Sequence, residues 1–427
     1  MEKDGVKNKR KKMMILGASA LQVPAIKKAK ELGYEIILVD YDKNAVGFAL
    51  ADVKLVVSTL DQEEVYRQAL IYKPDVVITS TSDGPVRTAA YVNEKLGKRP
   101  DLSYENSLCA TIKSNMRDRL KQCGVPIPAY YAVTDFEGFS DAVDRLDGRC
   151  IVKPADNAGS RGVVLLAGGR VECGKQEHGA YEDEKCAESD DWKRQIYEYS
   201  KGNSRNGTVM VEEYMQGPEV SVEIMVVDGE PHILMITDKY ITPPPYFVEL
   251  AHCEPSRLSA EIQARIREVA SQAVSAVGIE NAPAHVEVKV TEEGPKIVEL
   301  AARLGGDFIT SALVPLSTGI DMVGASVLLA TGKRPDLTPT RKQGAAIHFI
   351  HAREEQRGVL EKINVPEALY GAEGVEEIVL YKKTGEVVEG TRSSNDRLGH
   401  VITVGDTPEE AMERGERILA QIGVEIG

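Results

Sequence analysis

No run of the 427 residues reaches the roughly 18 consecutive apolar positions that a membrane span requires, so no membrane partner is expected. The six cysteines, Cys109, Cys123, Cys150, Cys173, Cys186 and Cys253, form no C-x-x-C pair, which removes the usual zinc templates. Thiols scattered through an acidic chain without a secretory signal point to a reducing cytoplasm. The seven histidines are also dispersed; His348 and His351 sit in and just after a strand-like run and carry no metal expectation. Positive charge is short as well: the net charge of −14 disfavours a nucleic-acid surface. Its one concentration, Met1 to Lys12, lacks the apolar h-region of a signal peptide and reads as a disordered basic arm. There is no internal repeat and no long low-complexity tract. The length exceeds one ordinary core, so two to four packed units are expected.

What is present begins with βαβ alternation. Met13–Gly17, Glu35–Asp40, Val53–Ser58 and Pro74–Ser80 read as strands, with helices over Pro24–Leu32 and Glu63–Tyr72. This predicts a parallel, doubly wound, Rossmann-like unit over 13–108. Gly17 after the first strand and Asp40 ending the second imitate a dinucleotide fingerprint, but no G-x-G-x-x-G is present. The polar loop Thr79–Gly84 either faces a substrate or caps the next helix. Asn106–Cys123 reads as one helix, with Lys113 and Arg117 four apart on one face. Phe136–Leu146 is a helix and Arg149–Pro154 a strand ending beside Lys153. The glycine-serine loop Ala155–Val163 follows, containing Ser160, Arg161 and Gly162, and such loops expose N–H groups to phosphate. Residues 168–189 look like a polar insertion. Thr208–Tyr214 and Glu219–Asp228 are strands around a break at Met215–Pro218, a hinge whose free backbone groups suit a purine edge. Tyr240–Ser256, with three consecutive prolines, reads as a substrate loop. Ser259–Gly278 is an amphipathic helix, and an apolar helix runs from about Asp321 to Ala330. From 336 onward, strand-like runs and a helix capped by Thr407, with Pro408 at its first position and Glu410 closing a capping box, suggest a small α+β domain.

The densest chemistry lies between His285 and Asp307. Val286, Val288 and Val290 alternate with polar residues, Glu292–Pro295 turn, and Lys296–Leu300 return, which predicts a β-hairpin. Glu287 and Glu299 are its two in-strand carboxylates, and Arg303 follows. Antiparallel pairing can set them side by side, where they call for a cation. Hard oxygen ligands of this number suit Mg²⁺, with Mn²⁺ as an alternative.

Lys113, Lys153, the Gly159 loop, V-E-E-Y-M-Q-G-P-E and the Glu287/Glu299/Arg303 set occur in one order, and in that order the chain resembles the ATP-grasp superfamily. The resemblance runs from about Met13 to Gly427. It is greatest to carboxylate–amine ligases such as the bacterial L-amino acid ligases, and more distant to biotin carboxylase and the carboxyaminoimidazole ribonucleotide synthases. It implies an α/β and α+β fold. A Rossmann-like pre-ATP-grasp domain comes first, then a two-lobed ATP-grasp unit over 109–335 whose small lobe covers about 130–214, then a C-terminal α+β domain over 336–427. It also implies that Lys113 and Lys153 hold ATP phosphates, with Ser160, Arg161 and Gly162 in the loop closing over them. Glu212, Glu213, Tyr214 and Met215 would form the adenine hinge, Glu219 would bind the ribose, Glu287 and Glu299 the metal, and Arg303 the phosphorylated intermediate. Many relatives place Asn two residues after the second Glu; here that position is Ala301, to be replaced by water or a bidentate Glu299.

The implied reaction activates a carboxylic acid as an acyl phosphate and passes it to an amine, both expected from the resemblance to be small molecules of the amino-acid class. Substrate contacts are expected from Thr79–Gly84, from Glu249 and His252, and from Gly305, Gly306 and Asp307. A homodimer is expected by family analogy alone. The rival readings are a bicarbonate-using carboxylase of the same superfamily and a nucleotide-binding protein without catalysis.

Overall fold

The computed structural model describes residues 10–98, 102–157, 162–167, 170–172, 191–243, 246–353 and 355–427. Ser160, Arg161, most of the basic arm and most of the 168–189 insertion lie outside them.

The first unit is a parallel sheet of β1 (Lys12–Leu16), β2 (Glu35–Asp40), β3 (Val53–Val56) and β4 (Val76–Thr79), in the order β3-β2-β1-β4. Its helices are α1 (Val23–Glu31), α2 (Gln62–Tyr72) and α3 (Gly84–Lys95). Asp40, the acid that imitates a dinucleotide site, is spent on the backbone: its oxygens accept from the N–H groups of Ala18 (2.7 Å) and Asp42 (2.9 Å). It therefore pins the turn after β1.

The single helix expected over Asn106–Cys123 is two. α4 (Tyr104–Cys109) ends, and α5 (Lys113–Gln122) starts after the extended residue Ile112. The Lys113 N–H leaves the helical pattern and donates to Ala155 O at 2.7 Å, in the next lobe. That tertiary bond outweighs continuation of the helix and brings Lys113 to the lobe junction.

The small lobe comprises β5 (Tyr130–Val133), α6 (Phe136–Arg145), β6 (Cys150–Pro154), β7 (Val164–Ala167), β8 (Arg170–Glu172), α7 (Asp191–Gly202) and β9 (Val209–Glu213). Its antiparallel sheet, β5-β9-β6-β7-β8, buries Val152, Val164 and Val211 against Phe139, Trp192 and Ile196 of the two helices.

The large sheet carries the site. It is built from β10 (Glu219–Val227), β11 (Glu230–Ile241), β12 (Glu249–Glu254), β13 (Pro283–Thr291) and β14 (Gly294–Ala301), with α8 (Ala260–Val277) on one face. α9 (Val314–Thr318) and α10 (Met322–Ala330) lie between it and the first unit. After α10 the chain adds β15 (Gly344–Ile350), β16 (Arg357–Asn364), β17 (Val375–Leu380), β18 (Val387–Glu389), β19 (Gly399–Gly405), α11 (Pro408–Leu419) and β20 (Gly423–Ile426). The sheet order is β14-β13-β10-β11-β12-β15-β19-β17. The sheet is therefore continuous across the boundary expected at 335/336. Only β18-β16-β20, which the sequence reading did not register as strands, form a sheet of their own. Thr407 caps α11 by accepting from Glu410 N, but the Glu410 side chain takes the Asp406 N–H in place of the expected capping-box partner.

The substrate loop expected over Tyr240–Ser256 is a correction. β11 runs on to Ile241, and Glu249–Glu254 is an interior strand paired to β11 and β15. E-L-A-H-C-E looks like a loop because its polar positions are as buried as its apolar ones. Ala251 and Cys253 pack on Ala411 and Met412 of α11, while His252 and Glu254 are buried as well.

Candidate functional site

Strand alternation builds the site. On β10, Val220, Val222, Ile224 and Val226 face α8, so Glu219, Ser221 and Glu223 must face the opposite side. Cross-strand register then supplies their neighbours. Glu219 stands opposite Lys239 of β11 and Lys289 of β13, Ser221 opposite Glu287, and Glu287 opposite Glu299. The two hairpin carboxylates thus meet as register partners.

Two cavities open over this face. The first, of about 190 Å³, lies between the small lobe and the sheet, and Lys113, Lys153, Tyr214, Met215, Glu219, Glu287 and Glu299 are in its walls. The second, of about 340 Å³, reaches the first unit and the C-terminal strands and is walled by Thr81, Asp83, His252, Arg303, Gly306 and Asp307. Lys239, Glu249, Glu287 and Glu299 line both, so the acidic pair stands at their junction.

Every buried charge here has a partner. Lys113 donates to Glu299 (2.8 Å), and Lys239 pairs with Glu287 (3.0 Å) and Glu219 (2.8 Å). Lys289 takes the other Glu219 oxygen at 3.1 Å. His285 gives one ring nitrogen to Glu223 (2.6 Å) and sets the other 3.5 Å from Glu287. Burial acts against the charged form of Glu287, but Lys239 and His285 override it and hold the carboxyl well below its usual range. Burial likewise opposes a charged His285, yet Glu223 and Glu287 push it up to about 9. Glu254 lacks such a cation: burial and the nearby Glu223 charge keep its carboxyl well above the usual range, with only Thr237 donating to it.

Several sequence-expected residues occupy the expected cavity in unexpected roles. Glu212 is in the wall of the first cavity, with its carboxylate engaged by neighbouring cations. It is buried between Arg117, which donates to both its oxygens (2.8 and 3.0 Å), and Lys153 at 2.7 Å. Burial opposes its ionisation, and Arg117 with Lys153 lower it to about 2. Glu213 pairs with Lys296. Gly162 has a positive φ of 78°, and a Cβ there would meet Asn203 and Pro154 at 2.7 Å, so it is a pinned turn. Gly305 does not line the second cavity; it packs on Glu223 and His285, which a Cβ would meet within 2.9 Å. Asp307 is already bound by Arg397, whose two terminal nitrogens reach its oxygens at 2.9 Å, with His252 at 3.4 Å. Glu249 takes the same Arg397 at 3.0 Å. Arg303 donates to Asp83 at 2.7 Å.

The sequence gives Arg117 only as a helix-face neighbour and Asp83 only as part of the Thr79–Gly84 loop, and it does not single out Lys239, Lys289, the His285–Glu223 pair or Arg397. The polar-apolar alternation E-V-S-V-E starting β10, with a lysine near the end of β11, is a readable signal for the sheet charges. Arg397 carries no local signal, because its partners are 90 and 148 residues away.

Among the described residues, no cluster of three or more His, Cys, Asp or Glu side chains forms a metal cage. Two register-paired carboxylates, each already holding an ammonium group, do fit a cation that takes one or two carboxylates and completes its shell from water and substrate. Ala301, opposite His285, adds no donor.

The arrangement defines a class: two lobes closing a lysine-walled cavity over an acidic pair. Residues 146–311 match the ATP-grasp domain family, and residues 348–427 match the L-amino acid ligase C-terminal domain 2. The chain is 24% identical to the L-arginine-specific L-amino acid ligase of Bacillus subtilis, over 76% of this chain and 74% of that one. It is 28% identical to the alanine–anticapsin ligase of B. subtilis strain 168, over 57% of this chain and 51% of that one. The first three curated relatives are matched over about half to three quarters of their length. The crystal structure of an L-amino acid ligase from Bacillus licheniformis superposes with a TM-score of 0.79 at 20% identity, covering 98% of this chain and 100% of that one, which shows the shared fold. The chain carries an ATP-grasp domain and the C-terminal domain 2 of the L-amino acid ligases, and its curated relatives include amino-acid ligases. Among the described residues no single helix is long and apolar enough to cross a membrane.

Proposed function

We propose that the protein is an ATP-dependent carboxylate–amine ligase that forms an amide, with amino acids as acid and amine, and releases ADP and phosphate. The observation that carries this reading is the meeting of the two cavities at Glu287 and Glu299, with Arg303 on the second side. The ligase relatives support amino acids as the substrate class.

In this reading ATP occupies the first cavity, its adenine at the Tyr214–Met215 backbone and its ribose at Glu219. Lys113 and Lys153 hold phosphate oxygens; Glu212, fixed by Arg117, sets the direction of Lys153. Mg²⁺ held by Glu287 and Glu299 would neutralise phosphate charge, leaving position and electrostatics as the main work of the site. The acid enters the second cavity, and its carboxylate attacks the γ-phosphorus. Arg303 holds the resulting acyl phosphate, and an amine displaces phosphate. A closed site protects that intermediate from water.

The test is phosphate release from ATP and Mg²⁺ with pairs of amino acids. Release that needs both an acid and an amine, with an amide seen by mass, is expected; release that needs bicarbonate alone would replace this reading with a carboxylase. Glu299→Gln is expected to abolish release, and a variant with undiminished release would remove Glu299 from the metal site.

A further inference from the structure

The second cavity presents five carboxylates: Asp83, Glu249, Glu287, Glu299 and Asp307. An incoming amine must lose a proton to one acceptor there, and their partners distinguish them. Asp307 is bound by Arg397 through both oxygens and approached by His252. Glu249 shares Arg397 and lies 3.9 Å from Lys239. Glu287 is held by Lys239 and His285, Glu299 by Lys113, and both are assigned to the metal. Of these partners only Lys113 is given a phosphate to hold, and the carboxylate it leaves, Glu299, is one of the two assigned to the metal.

Asp83 differs. Among the described residues its side chain has one ion-pair partner, Arg303 Nε at 2.7 Å, and Arg303 is the group the acyl phosphate recruits. Its position adds a second argument. Asp83 is the N-cap residue of α3, where an Asp side chain ordinarily accepts a backbone N–H, yet it makes no such bond. The local stability of a cap is given up, and the carboxylate points across the unit boundary into the cavity. The Ser80 carbonyl, accepting from Leu304 N at 3.0 Å, fastens the same loop beside Arg303. Gln22 donates to Thr81 (2.7 Å) and Ser82 (3.0 Å) and fixes the loop from the other side.

We infer that Asp83 is the base of the second half-reaction, taking the proton from the amine as the amide bond forms. The inference rests on the ligase reading above. The nitrogen lone pair bonds to the acyl carbon, the carbon–oxygen bond to the phosphoryl group breaks, and its electron pair leaves with phosphate. The nitrogen becomes acidic as it bonds, and its proton passes to the Asp83 carboxylate and then to solvent. Arg303, drawn to the phosphate, no longer masks that carboxylate, so acid activation and amine deprotonation are ordered by one guanidinium changing partners.

The test separates the two half-reactions. Full-length wild-type protein and Asp83→Asn are given ATP, Mg²⁺ and the acid found in the amino-acid screen. The acyl phosphate is trapped as a hydroxamate with hydroxylamine, and amide is measured in parallel with the amine. Hydroxamate formation by Asp83→Asn is expected within about threefold of wild type, while amide formation falls by about 10²- to 10⁴-fold, the usual contribution of a positioned base. Asp83→Glu, which keeps a carboxylate, is expected to regain part of the amide rate. Asp83→Ser, which suits a helix N-cap, carries the same expectation as Asp83→Asn and serves if that variant does not fold. Amide formation that stays near wild type in a folded variant overturns the inference. So does an equal fall in hydroxamate and amide, which would leave Asp83 only a holder of Arg303. A wild-type protein that traps no hydroxamate with any acid overturns the ligase reading itself.

Discussion

Arg117 is fully buried, and its guanidinium serves four acceptors: both Glu212 oxygens and the carbonyls of Ile297 and Val298. It ties α5, β9 and β14 together beneath the first cavity. Arg117→Met removes one side of a buried pair and leaves Glu212 to Lys153 alone, so unfolding in urea should show a loss of about 3–5 kcal/mol. Calorimetry should also show weaker ATP binding, because Glu212 then holds Lys153 more tightly against the wall. His285 gives a prediction in pH. Its folded-state value is raised from 6.5 to about 9, so the stability it contributes is fully present below pH 6.5 and is lost as pH rises through 9. In metal-free protein that loss should amount to about 3 kcal/mol at most, and His285→Gln should flatten this part of the stability–pH curve. A wild-type curve already flat between these limits would mean that the ring is neutral in the folded state.

Between β9 and β10 the chain has only a short break, and Gly217 makes it possible. Its φ is 126°, and a Cβ there would stand 1.9 Å from the Val290 carbonyl oxygen. The neighbouring Pro218 carbonyl accepts from Val290 N at 2.8 Å, so the close approach is part of the sheet's starting register. Gly217→Ala should cost more than about 1 kcal/mol and should weaken ATP binding, because Glu219 starts the strand two residues later. Unchanged ATP affinity in that variant would mean that the break can move without moving Glu219. The elements that sequence patterns placed well are α8 and the β13–β14 hairpin, whose apolar residues recur with a period, and β1 and β2, short continuous apolar runs buried on both faces. Those misjudged, α4–α5 as one helix and β12 as loop, are decided by a tertiary hydrogen bond and by burial of polar side chains, neither of which leaves a period in the sequence.

The whole molecule closes its site from three directions: Asp83 from the first unit, the hairpin glutamates from the large sheet, and Arg397 from the connection before β19. Arg397 is 3% exposed and its guanidinium lies 3.7 Å over the Phe349 ring while binding Asp307 and Glu249. Arg397→Met would leave two carboxylates in the second cavity without their shared cation. ATP affinity should stay near wild type, whereas kcat/KM for amide formation should fall by at least about tenfold. Equal losses in both would show that Arg397 supports the sheet as a whole. Because β15, β17 and β19 extend the site-bearing sheet, removing residues 336–427 should unfold the large lobe, exposing the β12 edge that β15 now covers.

The sequence by itself determined the repertoire: the βαβ unit, the alternating hairpin, the two lysines, and the paired glutamates with their arginine. These depend on local periodicity and on residue types that fit one chemistry. Only the tertiary structure decided which partner each charge has. Glu212 to Arg117, Asp83 to Arg303 and Asp307 to Arg397 are pairings across 95, 220 and 90 residues. A buried carboxylate takes whichever cation the packed chain brings within reach, and that choice is a property of distance in space rather than of position along the chain.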